Sequence, residues 1–533
     1  MEAHSYAFGK NHWQLDPDIR PVLGQYWADL GEHETELSRF GALAGGEAYQ
    51  VAYHVDHDSP PALVSHDLDG RRIDRARLCP QHAALLKEIA WINRPPYQGG
   101  SWLHHFALGY LLADPGLYCS LIVTNQTAYA IYKYAPEHTR WLESLLSGEM
   151  WGATWMTETH AGSDLGATLT EARQQDGGWR LYGDTKYFAS NAGLADLAIA
   201  TARPQGAPPG PKGVALFLVP RLDQAGRLNF TVRRLKDKSA TRAVPTGEVE
   251  FANSQAYLVG QAELGIYYTL ENLTVSRLAN AIGAMGLARK AHLEALLRSQ
   301  ARQAFGKALV EHPLLLYDLT DLAVRTAGGL ALVFHAVAAF ERSWHATPPY
   351  TADYHYARFL SHLAKNRTAE HAAQATRTAM EIFGGMGFLD ETNLPRLHRE
   401  ALVTAIWEGT SNIQALDMLE AMQKKGAHEM FLDEYLPLLQ AVPVRPARTA
   451  SQAIDATLRR LSELENPGAQ WYARDALDRL ADAATVGLLY RLADSNGERY
   501  ARLAELYARR FLEGEAYPDW ALEDREVWMP LER

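Results

Sequence analysis

Glu408 has the surroundings that proton abstraction needs. In AIWEGTSNIQALDMLEAM, residues 405–422, it lies between Trp407 and Gly409, and Thr410, Ser411 and Asn412 open an amphipathic helix. An aromatic neighbour and a tight turn would exclude water and raise a carboxyl toward the range of a general base. The helix start, with hydroxyl and amide side chains beside unpaired N–H groups, suits an anion. Taken alone, the same residues read better as an ordinary loop glutamate supporting the start of a helix.

Two further stretches suit a flat, anionic ligand, and two more close long helical patterns. MTETHAGSDLG, residues 156–166, combines small and hydroxyl residues in a loop whose N–H groups can converge on phosphate or flavin oxygens. Gly-Ser-Asp turns also occur with no ligand. In KYFASNAG, residues 186–193, Phe188 is followed two residues later by Ser190 on the same strand face. That is an aromatic to cover a ring and a hydroxyl to bond its edge, or a core phenylalanine before a turn. RQAFGK, residues 302–307, ends one long helical stretch, and EIFGGMGF, residues 381–388, ends another with paired glycines that also read as a helix C-cap.

Positioning these stretches takes helical and β scaffolds in alternation. Residues 1–150 mix apolar spacings of three and four with turn clusters such as SPPALVS and RPPYQGGSW, which predicts short helices and loops. From residue 151 to 259, RLYGDTKYF, ADLAIATA, GVALFLVP, LNFTV and GEVEF are short β-rich runs punctuated by Gly and Pro, an all-β domain. Long helical patterns fill residues 260–429, predicting a bundle. AVPVRPARTASQ reads as a linker in a further helical region, residues 430–533. GGLALVFHAVAAF, broken by His335, predicts a buried helix rather than a membrane span.

Composition narrows the function classes. With 47% apolar and 22% charged residues, the chain predicts several packed, soluble units. A net charge of −11 opposes non-specific attraction to nucleic acid and to anionic membrane. Cys79 and Cys119 are too few for a disulfide framework or a CxxC metal site, which fits a reducing cytoplasm. MEAHSYAFGKNHWQ has neither the basic start nor the apolar core of a signal peptide. GxGxxG, GxxxxGK[ST], HExxH and GxSxG are absent, removing the main support for Rossmann, P-loop, zincin and hydrolase readings. The 20 histidines, among them the pair His104 and His105, show no ligand spacing, so no metal is expected.

Taken in order, TE..AGSD, K.F.S, EVEF, SR, R..FG, GG.G and WEGT resemble the acyl-CoA dehydrogenase superfamily across residues 60–425. The resemblance implies an α+β multidomain fold: a helical N-terminal domain, a middle β-barrel or sandwich domain, and a C-terminal four-helix bundle, here with an extra helical tail. FAD would lie between β domain and bundle. Met156, Thr157, Gly162 and Ser163 would lie against the flavin and its pyrophosphate, and Phe188 and Ser190 would flank the isoalloxazine ring. Gly384, Gly385, Thr410 and Asn412 would line the rest of the cofactor site. Arg302 and Phe305 would reach the FAD of a neighbouring subunit, implying a homo-oligomer, dimer or tetramer.

The implied reaction is α,β-dehydrogenation of an acyl-CoA thioester. Glu408 takes the α proton, the β hydrogen leaves as hydride to flavin N5, and Arg277 resembles the family arginine near base and substrate. An electron-transferring flavoprotein or oxygen would accept the electrons. Two departures stand out: Ser276 occupies the position before Arg277 where some members carry their base, and Glu381 replaces the Gln of QIFGG. The length, the tail and WEGTSN, RLKDK and MEIFGG resemble the AidB (alkylation-response) branch, which has been linked to DNA binding. An AidB-like, DNA-binding protective flavoprotein with weak dehydrogenase activity is therefore the alternative. Against DNA, residues 430–533 hold 13 arginines, no lysine and 18 carboxylates. Arg499, Arg502, Arg509 and Arg510, interleaved with Glu498 and Glu505, predict a solvated face of mutually supporting charges.

Overall fold

The computed structural model describes residues 3–524 and residue 527. Its N-terminal helices are α1 (His12–Leu15), α2 (Ile19–Gly24), α3 (Leu30–Gly45), α4 (Glu47–His57), α5 (Pro80–Ile89), α6 (Trp102–Leu112), α7 (Pro115–Tyr134) and α8 (Thr139–Ser147). Between α4 and α5 runs a hairpin, β1 (Ala62–His66) and β2 (Arg72–Arg77). Seven strands follow: β3 (Gly152–Trp155), β4 (Glu171–Gln175), β5 (Gly178–Ala189), β6 (Leu197–Pro204), β7 (Ala215–Pro220), β8 (Thr231–Leu235) and β9 (Gly247–Leu258). Long helices return with α9 (Gly265–Ala301), the short strands β10 (Gln303–Ala304) and β11 (Lys307–Ala308), α10 (Pro313–Ser343), α11 (Ala352–Phe383), α12 (Leu394–Thr404) and α13 (Ser411–Lys425). The tail is α14 (Ala427–Gln440), α15 (Arg445–Ser462), α16 (Asn466–Asn496), α17 (Glu498–Tyr507) and α18 (Trp520–Glu523). This is the helical, β-barrel, helical order that the resemblance implied.

The chain forms two compact units, residues 50–101 with 115–276, and residues 1–49 with 102–114 and 277–533. In the first, pairings of β6 with β4, β4 with β5, β5 with β9, β9 with β7 and β7 back to β6 close a ring, with β3 and β8 added to β6 and β9. Closure leaves these strands without long open edges. Trp155, Leu181, Phe217, Val219, Phe230, Val232, Val249 and Phe251 fill its core. On the other face of β6 and β7, Leu197, Ile199, Leu216 and Leu218 pack with Ile131 of α7 and with Leu145 and Leu146 of α8. Burial on both faces explains why ADLAIATA and GVALFLVP are continuous apolar runs rather than alternating ones.

The β1–β2 hairpin corrects the reading of SPPALVS as a turn cluster. Ala62 pairs with Arg77 and Val64 with Arg75. The Asp67 side chain accepts from the N–H groups of Asp69 and Arg71 at 2.9 and 2.8 Å, and Gly70 supplies the left-handed turn residue at φ 75°. The Asp-Gly pair is the available hairpin signal.

In the second unit α11 packs on both α10 and α13, and α16 of the tail packs on all three. Among the described residues α10 is the one helix long and apolar enough to cross a membrane, and its apolar window is wholly buried in the protein. His335 on it is bonded at both nitrogens, to Tyr26 at 3.2 Å and Glu434 at 3.1 Å. Two tail readings are corrected here. RPARTASQ belongs to α15 rather than a linker, with Pro446 in its first turn where no intrahelical N–H bond is needed. Arg499 is not solvated, since its side chain is 19% exposed and it bonds Asp18 together with Tyr500; Arg510, 39% exposed, keeps contact with solvent but also bonds Asp321 beside Tyr517. Arg502 with Glu498 and Arg509 with Glu505 do form the expected i,i+4 pairs.

Candidate active site

The segment between α12 and α13 turns sharply at Glu408. Glu408 has φ 59° and Gly409 φ 94°, two left-handed residues in succession. A glutamate in this region costs roughly 1–2 kcal/mol, so surrounding contacts must hold it. They hold it by its carbonyls. Arg277 Nε donates to the Glu408 oxygen at 3.2 Å, and Gln414 Nε2 donates to the Glu408 and Gly409 oxygens, each at 2.9 Å. Lys365 Nζ donates to the Gly409 oxygen at 2.6 Å. Glycine is required at 409 on two grounds: its φ, and an added Cβ that would stand 2.7 Å from Gln414 Nε2.

Helices α9, α11 and α13 supply these clamps, and their own partners fix them. Arg277 is 4% exposed and its Nη2 bonds Asp417 at 3.0 Å, so it is no surface salt bridge. His362 Nδ1 meets Gln414 Oε1 at 2.8 Å, orienting the amide so that its nitrogen faces the turn. Trp407 donates its indole N–H to Asn280, which in turn bonds the Thr404 carbonyl at 3.0 Å. The Lys365 ammonium is lowered to about 7, burial lowering it most, Glu408 raising it and Arg277 lowering it again. Glu408 thus sits half-buried among two buried cations in a turn its own backbone would not choose. Lys365 and His362 lie outside every stretch singled out for chemistry in the sequence, and Gln414 and Asp417 lie within residues 405–422 with no role assigned; their roles become legible only once α11 and α13 face the turn.

In the β unit, Met156 is buried at the end of β3, Thr157 is half-buried, and Gly162 and Ser163 stand exposed in the loop that follows. Beneath that loop lies an ion pair that the motifs concealed. Lys186 of KYFAS, 0% exposed, donates to Glu158 at 2.7 Å and to the Thr201 carbonyl at 2.7 Å, while Glu158 accepts from Leu169 N and the Thr170 hydroxyl. Burial opposes the Glu158 charge, but Lys186 and the Thr170 bond hold it below the usual carboxylate range. Phe188 leaves 53% of its surface exposed, with Lys236 of RLKDK 4.8 Å over its ring. Ser190, just past β5, both accepts from Thr154 N and donates to Thr154 O at 3.0 Å, so its hydroxyl ties the end of β5 to β3.

The remaining residues lie at ends and turns of the helical unit. Gly384, at φ 62°, caps α11, and added methyl groups at Gly384 and Gly385 would meet nothing within 4 Å, so this backbone faces open space. Glu381, one turn earlier, is exposed and paired with Arg377 at 2.8 Å. Thr410 is the N-cap of α13, yet its side chain makes no capping bond; Asn412 is exposed beside it. Arg302 is exposed, and Phe305, at φ 49° and 97% exposed, tips the β10–β11 hairpin. An open glycine backbone, an uncapped helix start and an uncovered aromatic fit the phosphates and ring of a dinucleotide.

Helix, barrel and bundle in this order, with an acidic turn opening α13, define an acyl-CoA dehydrogenase fold. The family model of the acyl-CoA dehydrogenase middle domain matches residues 153–254 and that of the C-terminal domain residues 263–423, while the adaptive response protein AidB N-terminal domain matches residues 5–150. The 3-methylmercaptopropionyl-CoA dehydrogenase of Ruegeria pomeroyi is 33% identical over 76% of this chain and 70% of that enzyme. The putative acyl-CoA dehydrogenase AidB of Escherichia coli is 29% identical over 71% of this chain and 72% of its own length. The crystal structure of Caenorhabditis elegans ACDH-11 in complex with C11-CoA superposes with a TM-score of 0.85 at 24% identity, over 98% of this chain and 95% of that one. The chain belongs to the acyl-CoA dehydrogenase family, whose members are FAD-dependent oxidoreductases.

Proposed function

We propose that this protein oxidises an acyl-CoA thioester to the 2-enoyl thioester, with Glu408 as the base. The observation that carries the reading is the Glu408–Gly409 turn, strained in itself and held through its carbonyls by Arg277, Gln414 and Lys365. Clamping the carbonyls fixes the backbone from which the carboxylate projects, as proximity catalysis requires. Glu408 removes the proton from Cα, and its backbone N–H is the donor for the thioester oxygen on which charge develops. Arg277 fixes the turn that presents both groups to the acyl-CoA.

On the family resemblance, Met156, Thr157, Gly162, Ser163, Phe188 and Ser190 are the proposed FAD contacts in the β unit, and Gly384, Gly385, Thr410 and Asn412 are those proposed in the helical unit. FAD would supply at N5 a two-electron acceptor for the hydride leaving Cβ. Ser190 serves by fixing the strand end beside Phe188 rather than by a free hydroxyl. The exposed Arg302–Phe305 hairpin is the element that completes the cofactor site of another subunit in a homo-oligomer. An electron-transferring flavoprotein, or oxygen, would be the final electron acceptor.

The AidB N-terminal match keeps an alkylation-response role as the second reading. DNA is disfavoured as its partner because Arg499, Arg502, Arg509 and Arg510 each already bond a carboxylate. Salt-dependent DNA affinity at low ionic strength, lost on substituting these arginines, would restore that reading.

The test is anaerobic. Purified protein is mixed with butyryl-CoA, isovaleryl-CoA and longer acyl-CoAs, and flavin absorbance is followed in wild type and Glu408→Gln. Bleaching in wild type and not in Glu408→Gln is expected. A flavin that no thioester bleaches sinks the dehydrogenase reading, and equal bleaching in both proteins sinks Glu408 as base.

A further inference from the structure

Away from the catalytic turn, α3 and α6 bring two imidazoles and a carboxylate together around Trp27. His33 and Glu36 are three residues apart on α3, hence on one face, and His104 comes from the first turn of α6. One potential ligand atom from each of the three lies within 4.8 Å of the other two. His104 Nε2 is 2.6 Å from Glu36 Oε1, and the two imidazole centroids are 4.7 Å apart. Trp27 backs both rings, at 4.8 Å from His33 and 5.0 Å from His104. Asp29, one turn before His33, places Oδ2 3.8 Å from His33 Nε2. Side-chain exposure rises outward through the group, 8% for His104, 32% for His33, 44% for Glu36 and 60% for Asp29. The cluster is therefore walled by Trp27 inside and open to solvent outside.

We propose that His33, Glu36 and His104 form a binding site for a d-block divalent cation, Zn2+ above all, with Asp29 or water as the fourth ligand. Two imidazoles and a carboxylate are a zinc donor set, while Mg2+ and Ca2+ prefer all-oxygen shells. Bonds of about 2.0–2.2 Å to a tetrahedral ion set neighbouring ligand atoms about 3.3 Å apart. The 2.6 Å pair must open and the widest pair close by rotamer-scale shifts, which partly exposed His33 and Glu36 have room to make. A bound ion also replaces the direct His104–Glu36 contact with bonds that tie α3 to α6.

The role is conformational rather than catalytic. Trp102, two residues before His104, donates its backbone N–H to Glu341 of α10 at 2.5 Å, so an ion joining α3 to α6 also secures α3 to the central helix of this unit. His105 takes no part: it is fully buried on another face of α6, edge-on to Trp102 and Phe106. Histidine spacing conceals the site because its ligands come from helices far apart in sequence and its third donor is a glutamate, Glu36.

The test uses untagged, full-length flavoprotein freed of metal with a chelator and titrated with ZnSO4 or MgCl2. Binding is read by calorimetry and by thermal unfolding, which a ligand of the native state shifts upward. One equivalent of Zn2+ is expected to bind and raise Tm, Mg2+ to do neither, and His33→Ala and Glu36→Gln each to weaken Zn2+ at least tenfold. Both variants should retain flavin absorbance and acyl-CoA bleaching, since neither residue touches the catalytic turn. Cu2+ in the site should show two nitrogen ligands by electron paramagnetic resonance in wild type and one in His33→Ala. No Zn2+ binding in the micromolar range overturns the proposal. So does Zn2+ affinity unchanged in both variants, which would place the ion elsewhere.

Discussion

Buried cations in the helical unit face two kinds of partner. Lys365 reaches a main-chain carbonyl of the Glu408–Gly409 turn and Arg277 divides its guanidinium between the Glu408 carbonyl and Asp417, whereas Arg367 and Arg499 reach the carboxylates of Asp482 and Asp18. A carboxylate neutralises its partner, so Arg367 and Arg499 join helices and leave little net field. A carbonyl is only a dipole, so a charge on Lys365 is made costly by burial and favoured by the nearby Glu408 carboxylate. Arg367 and Arg499, which tie tail helices to the rest of the unit, therefore serve stability, and the cations around the turn serve the geometry and field at one carboxylate. Breaking each set should show up in a different measurement.

Glu408→Gln removes the base while leaving the turn's carbonyl clamps in place. The reductive half-reaction should slow by about 10^3–10^4-fold, the upper range for losing a positioned general base, with Tm and flavin content close to wild type. Stopped-flow absorbance checks the rate. A large fall in Tm instead would mean that the carboxylate holds the turn, contrary to the division drawn above.

Arg499→Ala should do the reverse. It removes one of two guanidinium groups from Asp18, which is 1% exposed and also bonded to Arg289. Leaving a buried carboxylate short of a partner costs about 3 kcal/mol, visible in chemical unfolding, with bleaching rates unchanged. The pH dependence has a definite sign. Burial opposes the Asp18 charge, but Arg499 and Arg289 hold its folded pKa below the ordinary carboxylate value. Its contribution is complete above about pH 4 and is lost as pH falls further, so wild type should lose stability in acid more steeply than Arg499→Ala.

How much of this is legible in the chain differs between the two sets for a physical reason. The fold class is readable because barrel strands and long helices carry local periodicity, as in GVALFLVP and RFLSHLAKNRT. WEGTSN is readable as a turn before a helix because capping residues and glycine act within four positions. The clamps are not, since a lysine on α11 looks the same in sequence whether it faces water or Gly409. Arg499 reads as solvated because its partner, Asp18, lies 481 positions away, while Glu498 and Glu505 stand beside it. The β1–β2 hairpin escapes notice although Asp69-Gly70 marks it, because the proline pair before Ala62 outweighs the alternation after it.

Lys365→Met separates field from packing at the turn. Its loss should slow the reductive half-reaction about tenfold, because the Gly409 carbonyl loses one donor while Arg277 and Gln414 continue to hold the turn. The diagnostic is pH. Lys365 is lowered from the usual lysine range to about 7, so between pH 7 and about 10 the unfolded chain binds a proton that the folded protein does not. Stability on this account rises with pH across that window, and the rise should be absent in Lys365→Met. The wild-type rate should also change near pH 7 in a way the variant does not reproduce. Equal pH profiles would reduce Lys365 to a packing residue.

The smallest effect is expected three residues from one of the largest. Arg502 on α17 bonds Glu498 at 2.8 Å and also reaches Asp524, yet its side chain is 37% exposed and Glu498 is 77% exposed. Solvent screens such a pair, so Arg502→Ala should cost less than about 1 kcal/mol and less still at high salt. It shares a helix and a residue type with Arg499, so helix propensity and net charge change alike in the two variants. What differs is whether the carboxylates left behind can be hydrated: Glu498, 77% exposed, and Asp524, 17% exposed, reach solvent, and Asp18, at 1%, does not. A double substitution should therefore equal the sum of the two singles in chemical unfolding, because the two arginines share no carboxylate. A deviation of about 1 kcal/mol or more from that sum would mean that α17 docks as one charged surface, and the distinction between its buried and exposed arginines would fall.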